Sequence, residues 1–427
     1  MRTIISDATL LTMEEATPVI HGSIGVEDGR IAFLGEYVPQ EGDRVIDGQD
    51  HLVLPGFVNA HAHSPMTLLR GVGDDLPLSR WLQDAIFPRE DRMTQEDFYW
   101  GAMAAMAEMT AAGTVAFSEM YMGAGEIARA ADESGLRAIV GRGLACGSEE
   151  RGEMGEKLRL ATDFCGAFQD HPRIGFSVAP HAEYTCSPAF LAACGELAQE
   201  WGWLFHTHAS ETESEHRECV ARHGMTPVAL LEHLGCLSGR AVLAHCVHVT
   251  EEDMGILAQR RAAVAHCPES NLKLGSGMAP AAALRKRGVT VCMGTDGAAS
   301  NNDLDLLSET RTAAFLQKGV ERDAGAISAF DALRMATVEG RRALGLPGGT
   351  LSLGAPADLI LLNTSGCHML PLGEDPYAAV LYCAKSSDVA LTMVDGRILY
   401  RNGVFYALDV ERIRREVTRS RGRILSR

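Results

Sequence analysis

The sequence predicts an α/β protein: a (β/α)8 TIM-like barrel with a small β-sandwich domain formed from both termini. Three observations predict it. Short apolar, β-branched runs recur eight times through the middle of the chain, and each is followed by a longer helical pattern. Continuous apolar strands alternating with helices imply a parallel sheet covered on both faces. Eight such units favour a closed barrel over an open doubly wound sheet, and no glycine-rich dinucleotide or phosphate loop follows any of them. The two chain ends, by contrast, are short alternating segments broken by turns.

In chain order, residues 1–57 contain "TIISDATLL", "GSIGVEDGRIAFLG" and "HLVLPGF", and Asp28-Gly29 is a hairpin signal. The eight barrel runs follow: "GFVNAHAH" (56–63), "TVAFSEM" (114–120), "RAIVGRG" (137–143), "RIGFSVAPHA" (173–182), "WLFHTHAS" (203–210), "AVLAHC" (241–246), "AAVAHCP" (262–268) and "VTVCMGTDG" (289–297). "TQEDFYWGAMAAMAEMTAAG" typifies the helical stretches between them. From Gly349 the alternating style returns in "GTLSLGAPADLILL" and "VALTMVDGRILYRNG", with a second turn at Asp395-Gly396. The expected division is therefore a barrel over 58–348, with 1–57 and 349–427 pairing into one β domain.

Composition narrows the partners. A chain of 427 residues that is 46% hydrophobic can bury a large core. Its net charge of −17, with only 39 Lys+Arg, argues against nucleic acid or an anionic membrane surface, since both demand a basic face. No apolar run approaches the roughly 18 residues that span a bilayer, and the start "MRTIISDATLLTM" reads as a strand rather than a signal peptide. The 11 cysteines are scattered singly, without C-x-x-C pairs, which suits reduced thiols in a cytoplasmic protein.

Nearly every barrel run ends in a side chain that can bind metal or move a proton, and barrel enzymes build their sites at those strand ends. His61 and His63 are two apart, so strand alternation points both toward the barrel axis, where they can chelate one ion. The fifth strand adds His208, the sixth His245, and the eighth ends in Asp296. His266 on the seventh strand, taken alone, reads as a hydrogen-bonded core residue.

The strings "PGFVNAHAHSPMTLLRG", "HASET", "LAHCVH", "HCPESNLKLGSG" and "GTDGAASNNDLDL" resemble the amidohydrolase superfamily, specifically its 5-methylthioadenosine/S-adenosylhomocysteine deaminase group. The resemblance covers essentially the whole chain, and "SNLKL" and "TDGAASNN" are specific to this group and its near relatives. It implies that His61, His63, His208 and Asp296 hold one divalent metal, zinc by preference and iron or manganese as alternatives, with an open position for water. Glu211 matches the family's proton shuttle, and His245 the residue that orients the attacking water. Binuclear relatives carry a bridging lysine at the end of strand four; "RIGFSVAPHA" has none, so a single metal is expected.

On the same resemblance, water attacks C6 of an adenine ring while Asp296, through its free carboxylate oxygen, accepts the water proton. Glu211 protonates N1, and ammonia leaves. Glu90 in "FPRED" matches a reader of the ribose hydroxyls, and Arg142 and His181 match contacts to the nucleoside and the purine edge. Trp81 in "LSRWL" either covers the substrate or simply packs. One departure is "SEMY" where the family often has Asp-Met-Tyr; Glu119 is one methylene longer at a position expected near the mouth. Homo-oligomers are usual among similar proteins.

The same scaffold serves deaminases of guanine, 8-oxoguanine or pterins and chlorotriazine hydrolases, and non-catalytic relatives exist. Scaffold proteins tend to lose ligands, whereas every ligand is present here. The choice among 5-methylthioadenosine, S-adenosylhomocysteine, 5-deoxyadenosine and adenosine stays open, because they differ only at the 5-substituent. In "HTHASETESEH", alternation sends His206 and His208 inward together, with His206 one layer deeper as a buried support. Glu213, Glu215 and His216 begin the next helix, whose N-terminal dipole suits the acids.

Overall fold

The structure is a computed structural model that describes residues 2–426. Eight parallel strands form the barrel: Phe57–His63, Thr114–Tyr121, Arg137–Leu144, Ile174–Pro180, Leu204–Ala209, Ala241–His245, Ala263–His266, and an eighth made of two pieces, Val291–Met293 and Asp296–Gly297. The first piece of the eighth pairs with the seventh strand (Val264 opposite Val291), and the second pairs with the first strand (Asp296 opposite Ala62). The barrel is thereby closed.

The break in the eighth strand has a local cause. A Cβ on Gly294 would lie 2.8 Å from the His61 Cβ and 3.0 Å from the Cys267 Sγ, so the strand crosses the first too closely for any side chain. The freed backbone is satisfied by Asn59, whose Oδ1 accepts from the Thr295 N–H at 3.0 Å and whose Nδ2 donates to Thr295 Oγ1 at 2.7 Å. Asp296 is delivered to the barrel mouth by this bridge.

Helices follow the strands as the sequence predicts. The helix Gln95–Ala111 starts at a capping box in which the Thr94 and Asp97 side chains each accept a backbone N–H from the other. Between the first strand and this helix, residues 64–93 cross the barrel mouth as short turns, including a wide π-helical turn over Trp81–Ile86 and a helical turn over Phe87–Glu90. Such π turns frequently mark functional segments.

The chain ends form a second, nine-stranded sheet, and they meet where Leu359–Asn363 runs antiparallel to His51–Pro55. Both predicted hairpins are present. Asp28 and Gly29 (φ 50° and 78°) join Val19–Glu27 to Arg30–Gly35, and Asp395 and Gly396 (φ 47° and 71°) join Val389–Val394 to Arg397–Arg401, as a type I′ turn requires. Alternation splits each central strand between two cores. Val53, Leu359 and Leu361 pack inside the terminal sheet, while Leu52, Leu54, Ile360 and Leu362 pack into the barrel's core. Burying each such side chain contributes about 1.5–3 kcal/mol.

An ion cluster fastens the two parts together. Asp358, at the edge of the terminal sheet, accepts from Arg137 of the third barrel strand at 2.6 Å and from Arg341 at 2.7 Å, with all three side chains at most 5% exposed. Its other oxygen accepts from the Asp395 N–H at 2.7 Å. Removing one member of such a buried pair costs about 3–5 kcal/mol, because the other charge is left uncompensated. The C-terminal helix Val410–Leu425 packs on Gln95–Ala111, with Arg423 paired to Asp97 and Arg421 donating to Leu68 O at 2.8 Å.

Candidate active site and metal centre

The first, fifth and eighth strands bring His61, His63, His208 and Asp296 together at the mouth of the barrel, each offering one ligand atom within 4.8 Å of the others. His61 Nε2 and His63 Nε2 lie 3.5 Å and 3.1 Å from Asp296 Oδ1, and His208 Nε2 lies 3.3 Å from His63 Nε2.

The far side of each ring fixes which nitrogen faces inward. His63 Nδ1 donates to Met120 O at 2.5 Å, and His208 Nδ1 donates to His181 O at 2.7 Å. A carbonyl can only accept, so both rings carry the proton on Nδ1 and turn the Nε2 lone pair into the site. His61 Nδ1 lies 3.0 Å from His206 Nε2, whose own Nδ1 lies 3.1 Å from Ser118 Oγ. His206 is fully buried and supports His61 from behind, as the layer spacing predicts. His61 Nε2 is buried with no hydrogen-bond partner among the described residues. An orphaned imidazole nitrogen, two others freed by outer acceptors and one carboxylate oxygen make a donor set that fits a divalent cation.

The electrostatics agree. Burial would raise the Asp296 carboxyl, but the close His61 and His63 imidazoles outweigh it and hold Asp296 well below the usual carboxylate range. Burial drives His208 and His206 well below the ordinary histidine value and His61 below it too, which favours the neutral form a metal needs, whereas at His63 burial is outweighed by Asp296 and Glu119, which raise it.

Asp296 Oδ2 is not free, contrary to expectation. It accepts from Ser270 Oγ at 2.6 Å and from Ser300 Oγ at 2.7 Å. Both serines stand in quoted strings, yet a serine carries no signal of its partner until the seventh and eighth strands are placed side by side. Asn271, next in the chain, sets its Nδ2 2.9 Å from His245 Nδ1.

Glu211 follows the fifth strand, with Oε2 3.8 Å from His245 Nε2. Burial first, then the charges of Asp296 and Glu215, push its carboxyl well above the ordinary value. The helix Glu213–His223 begins at a Thr212/Glu215 capping box. Glu215 also accepts from the backbone N–H groups of Ser210 (2.8 Å) and Glu211 (2.6 Å). The acids expected to suit a helix dipole therefore include one that clamps the backbone of Glu211. Ser210, His245, Cys246 and Asp296 all hold positive φ (51°, 73°, 48° and 59°), a conformation costly for non-glycine residues and typical of functional sites.

His63, His208, Glu211, His245 and Asp296 floor a cavity of about 290 Å³, lined also by Glu90, His181, Ser300, Trp81, Tyr121 and Tyr184. Trp81 is 3% exposed and donates through Nε1 to Val72 O at 3.1 Å, so it both packs and forms a wall. Burial lowers His181 to about 4, leaving a neutral ring whose Nδ1 lies 3.0 Å from Thr185 Oγ1. Arg142 does not line the cavity. It sits half-buried beside the lining residues Gly143 and Leu144, with no hydrogen bond or ion pair from its side chain among the described residues. Glu119 stands level with Ala62 and Asp296, at the mouth end of the second strand, but does not line the cavity either. Its side chain is fully buried, and one oxygen accepts from the Ser64 N–H at 2.9 Å. His266 is buried as expected, but neither ring nitrogen has a hydrogen-bond partner among the described residues, and burial lowers it to about 4.

A 5-methylthioadenosine/S-adenosylhomocysteine deaminase of Moorella thermoacetica is 44% identical over 426 residues, covering 97% of this chain and 98% of the relative. A 5'-deoxyadenosine deaminase of Methanothermobacter thermautotrophicus is 42% identical over 399 residues, 92% of this chain and 93% of the relative. The crystal structure of an adenosine deaminase from Xanthomonas campestris with bound zinc superposes with a TM-score of 0.94 at 35% identity, covering 100% of this chain and 99% of that one. The amidohydrolase family model matches residues 52–399, from the last strand before the barrel to the second terminal hairpin. The chain therefore belongs to the amidohydrolase family.

Proposed function

We propose that the protein is a metal-dependent hydrolytic deaminase that converts the 6-amino group of an adenosine derivative to the inosine form, with release of ammonia. The observation that carries this reading is the meeting, in one cavity, of the His61, His63, His208 and Asp296 quartet, the protonated acid Glu211 and the carboxylate of Glu90. The names of the relatives support the substrate class, and zinc in the Xanthomonas campestris deaminase supports the metal.

The quartet would hold one divalent ion, which supplies Lewis acidity that makes water a nucleophile near neutral pH. His245 orients the attacking water toward C6 of the purine, and Asp296 takes the water proton. The hydroxyls of Ser270 and Ser300 keep the Asp296 carboxylate in one orientation, and either can turn from donor to acceptor once Oδ2 is protonated. Glu211, kept neutral by burial, gives its proton to N1, so that no negative charge builds up in the ring. Collapse of the tetrahedral carbon releases ammonia, and water supplies the oxygen of the inosine product.

His181 meets the purine edge, Arg142 the nucleoside from the rim, and Glu90 the ribose hydroxyls. Four substrates share these features: 5-methylthioadenosine, S-adenosylhomocysteine, 5-deoxyadenosine and adenosine. All eleven cysteines are free, which supports a cytoplasmic setting, and no helix among the described residues is long and apolar enough to cross a membrane. A homo-oligomer follows from the family resemblance.

Changing Glu90→Ala removes the acceptor for two hydroxyls, so kcat/KM on adenosine derivatives is expected to fall about 100-fold or more. Steady-state assays on adenosine and 5-methylthioadenosine measure it. A guanine- or triazine-type site has no ribose to read, and an unchanged rate in the variant contradicts the reading.

A further inference from the structure

The Glu90 carboxylate stands on the segment that crosses the barrel mouth, in the short turn Phe87–Glu90 that follows the wide turn Trp81–Ile86. No barrel strand holds its backbone, and a glutamate side chain has three torsions to fix before its oxygens can meet a ligand. Among the described residues one side chain hydrogen-bonds to it. Tyr121, the last residue of the second barrel strand, donates its phenol hydroxyl to Glu90 Oε1 at 2.5 Å. Both residues line the cavity.

Tyr121 is itself firmly held. Its side chain is 6% exposed, its ring meets Phe98 edge-on with centroids 6.0 Å apart at 80°, and its backbone is paired with Arg142 of the third strand. The phenol has one proton, and the bond to Glu90 uses it; the remaining close contact of the oxygen is Met93 Sδ at 3.9 Å. The bond thus ties a carboxylate on a segment outside the barrel sheet to the end of the second barrel strand. One carboxylate oxygen is occupied, and Oε2 keeps its lone pairs for a ligand.

We infer that Tyr121 is a positioning residue for substrate selection: its hydroxyl fixes the Glu90 carboxylate so that Oε2 meets the vicinal diol of a ribose. The inference rests on the reading of Glu90 as the ribose acceptor and adds the group that aims it. Tyr121 touches the substrate's selection through Glu90 and takes no part in the chemistry at C6.

The test compares adenosine with 2',3'-dideoxyadenosine, which lacks the diol, as a ratio of kcat/KM values in the metal-loaded enzyme. Tyr121→Phe keeps the ring and removes only the hydroxyl, and melting temperature checks the fold. The ratio is expected to fall about 10-fold in Tyr121→Phe, the worth of one charge-assisted hydrogen bond, and further in Glu90→Ala. The double variant is expected to match Glu90→Ala, because the phenol acts only through that carboxylate. Equal loss on both nucleosides in Tyr121→Phe, the mark of a merely structural role, overturns the inference. So does a double variant whose ratio falls below that of Glu90→Ala. If Glu90→Ala itself keeps the wild-type ratio, the ribose reading fails instead, and the two failures are told apart.

Discussion

Changing Glu211→Gln is expected to lower kcat on adenosine derivatives about 10³-fold, within the range typical for loss of a general acid, while leaving bound metal at the wild-type level. Glutamine keeps the shape and the hydrogen-bonding reach of the side chain but has no proton of suitable acidity to give. Glu211 is outside the quartet that converges within 4.8 Å, so metal content is a separate readout. Its backbone is clamped from below by Glu215, which preserves the loop in the variant. Burial, reinforced by the Asp296 and Glu215 charges, raises the carboxyl well above the ordinary value, toward the protonated form that a donor to N1 requires. Stopped assays and metal analysis on the same sample check both halves. A kcat within tenfold of wild type would remove Glu211 from the proton path.

Removing the fourth ligand has the larger structural consequence. Asp296→Ala is expected to abolish stoichiometric metal binding and with it measurable turnover. The variant loses the carboxylate oxygen that His61 and His63 face, and it leaves the Ser270 and Ser300 hydroxyls without their shared acceptor. Stripping the wild-type protein with a chelator is expected to lower its melting temperature as well as its activity. A ligand that binds only the folded state stabilises it by about 4 kcal/mol when free metal is 1,000-fold above its Kd. In Asp296→Ala the chelator has nothing to remove, so its melting temperature is expected not to move. A chelator-induced shift in the variant that matches the wild type would place the stabilising metal elsewhere.

Much of this architecture was legible in the sequence because its signals are periodic. Buried parallel strands read as apolar runs, and Asp28-Gly29 and Asp395-Gly396 force positive φ at both turn positions, as found. Strand alternation and the strand-end rule made His61, His63, His208, His245 and Asp296 legible as one group, and the family resemblance singled out the four ligands among them. What stayed hidden depends on which atoms meet after folding. The break at Gly294 arises from the closeness of His61, a residue more than two hundred positions away. Ser270 and Ser300 acquire meaning only as donors to one oxygen of Asp296. Glu119, a longer acid in a pocket motif, has a partner the motif does not name: its carboxylate accepts from the Ser64 N–H. Arg142 is absent from the cavity lining because its strand position fixes its Cα but not the direction its long side chain takes.

The central claim, hydrolytic deamination at C6 of an adenosine derivative, is tested most directly by following adenine absorbance and ammonia release with the zinc-loaded protein. The substrates are 5-methylthioadenosine, S-adenosylhomocysteine, 5-deoxyadenosine and adenosine, with guanine and a chlorotriazine as controls. The account predicts ammonia and the matching inosine derivative, in equal amounts, from at least one of the four nucleosides, and neither control turned over comparably. Inertness toward all four, with turnover of guanine or the chlorotriazine, would contradict it.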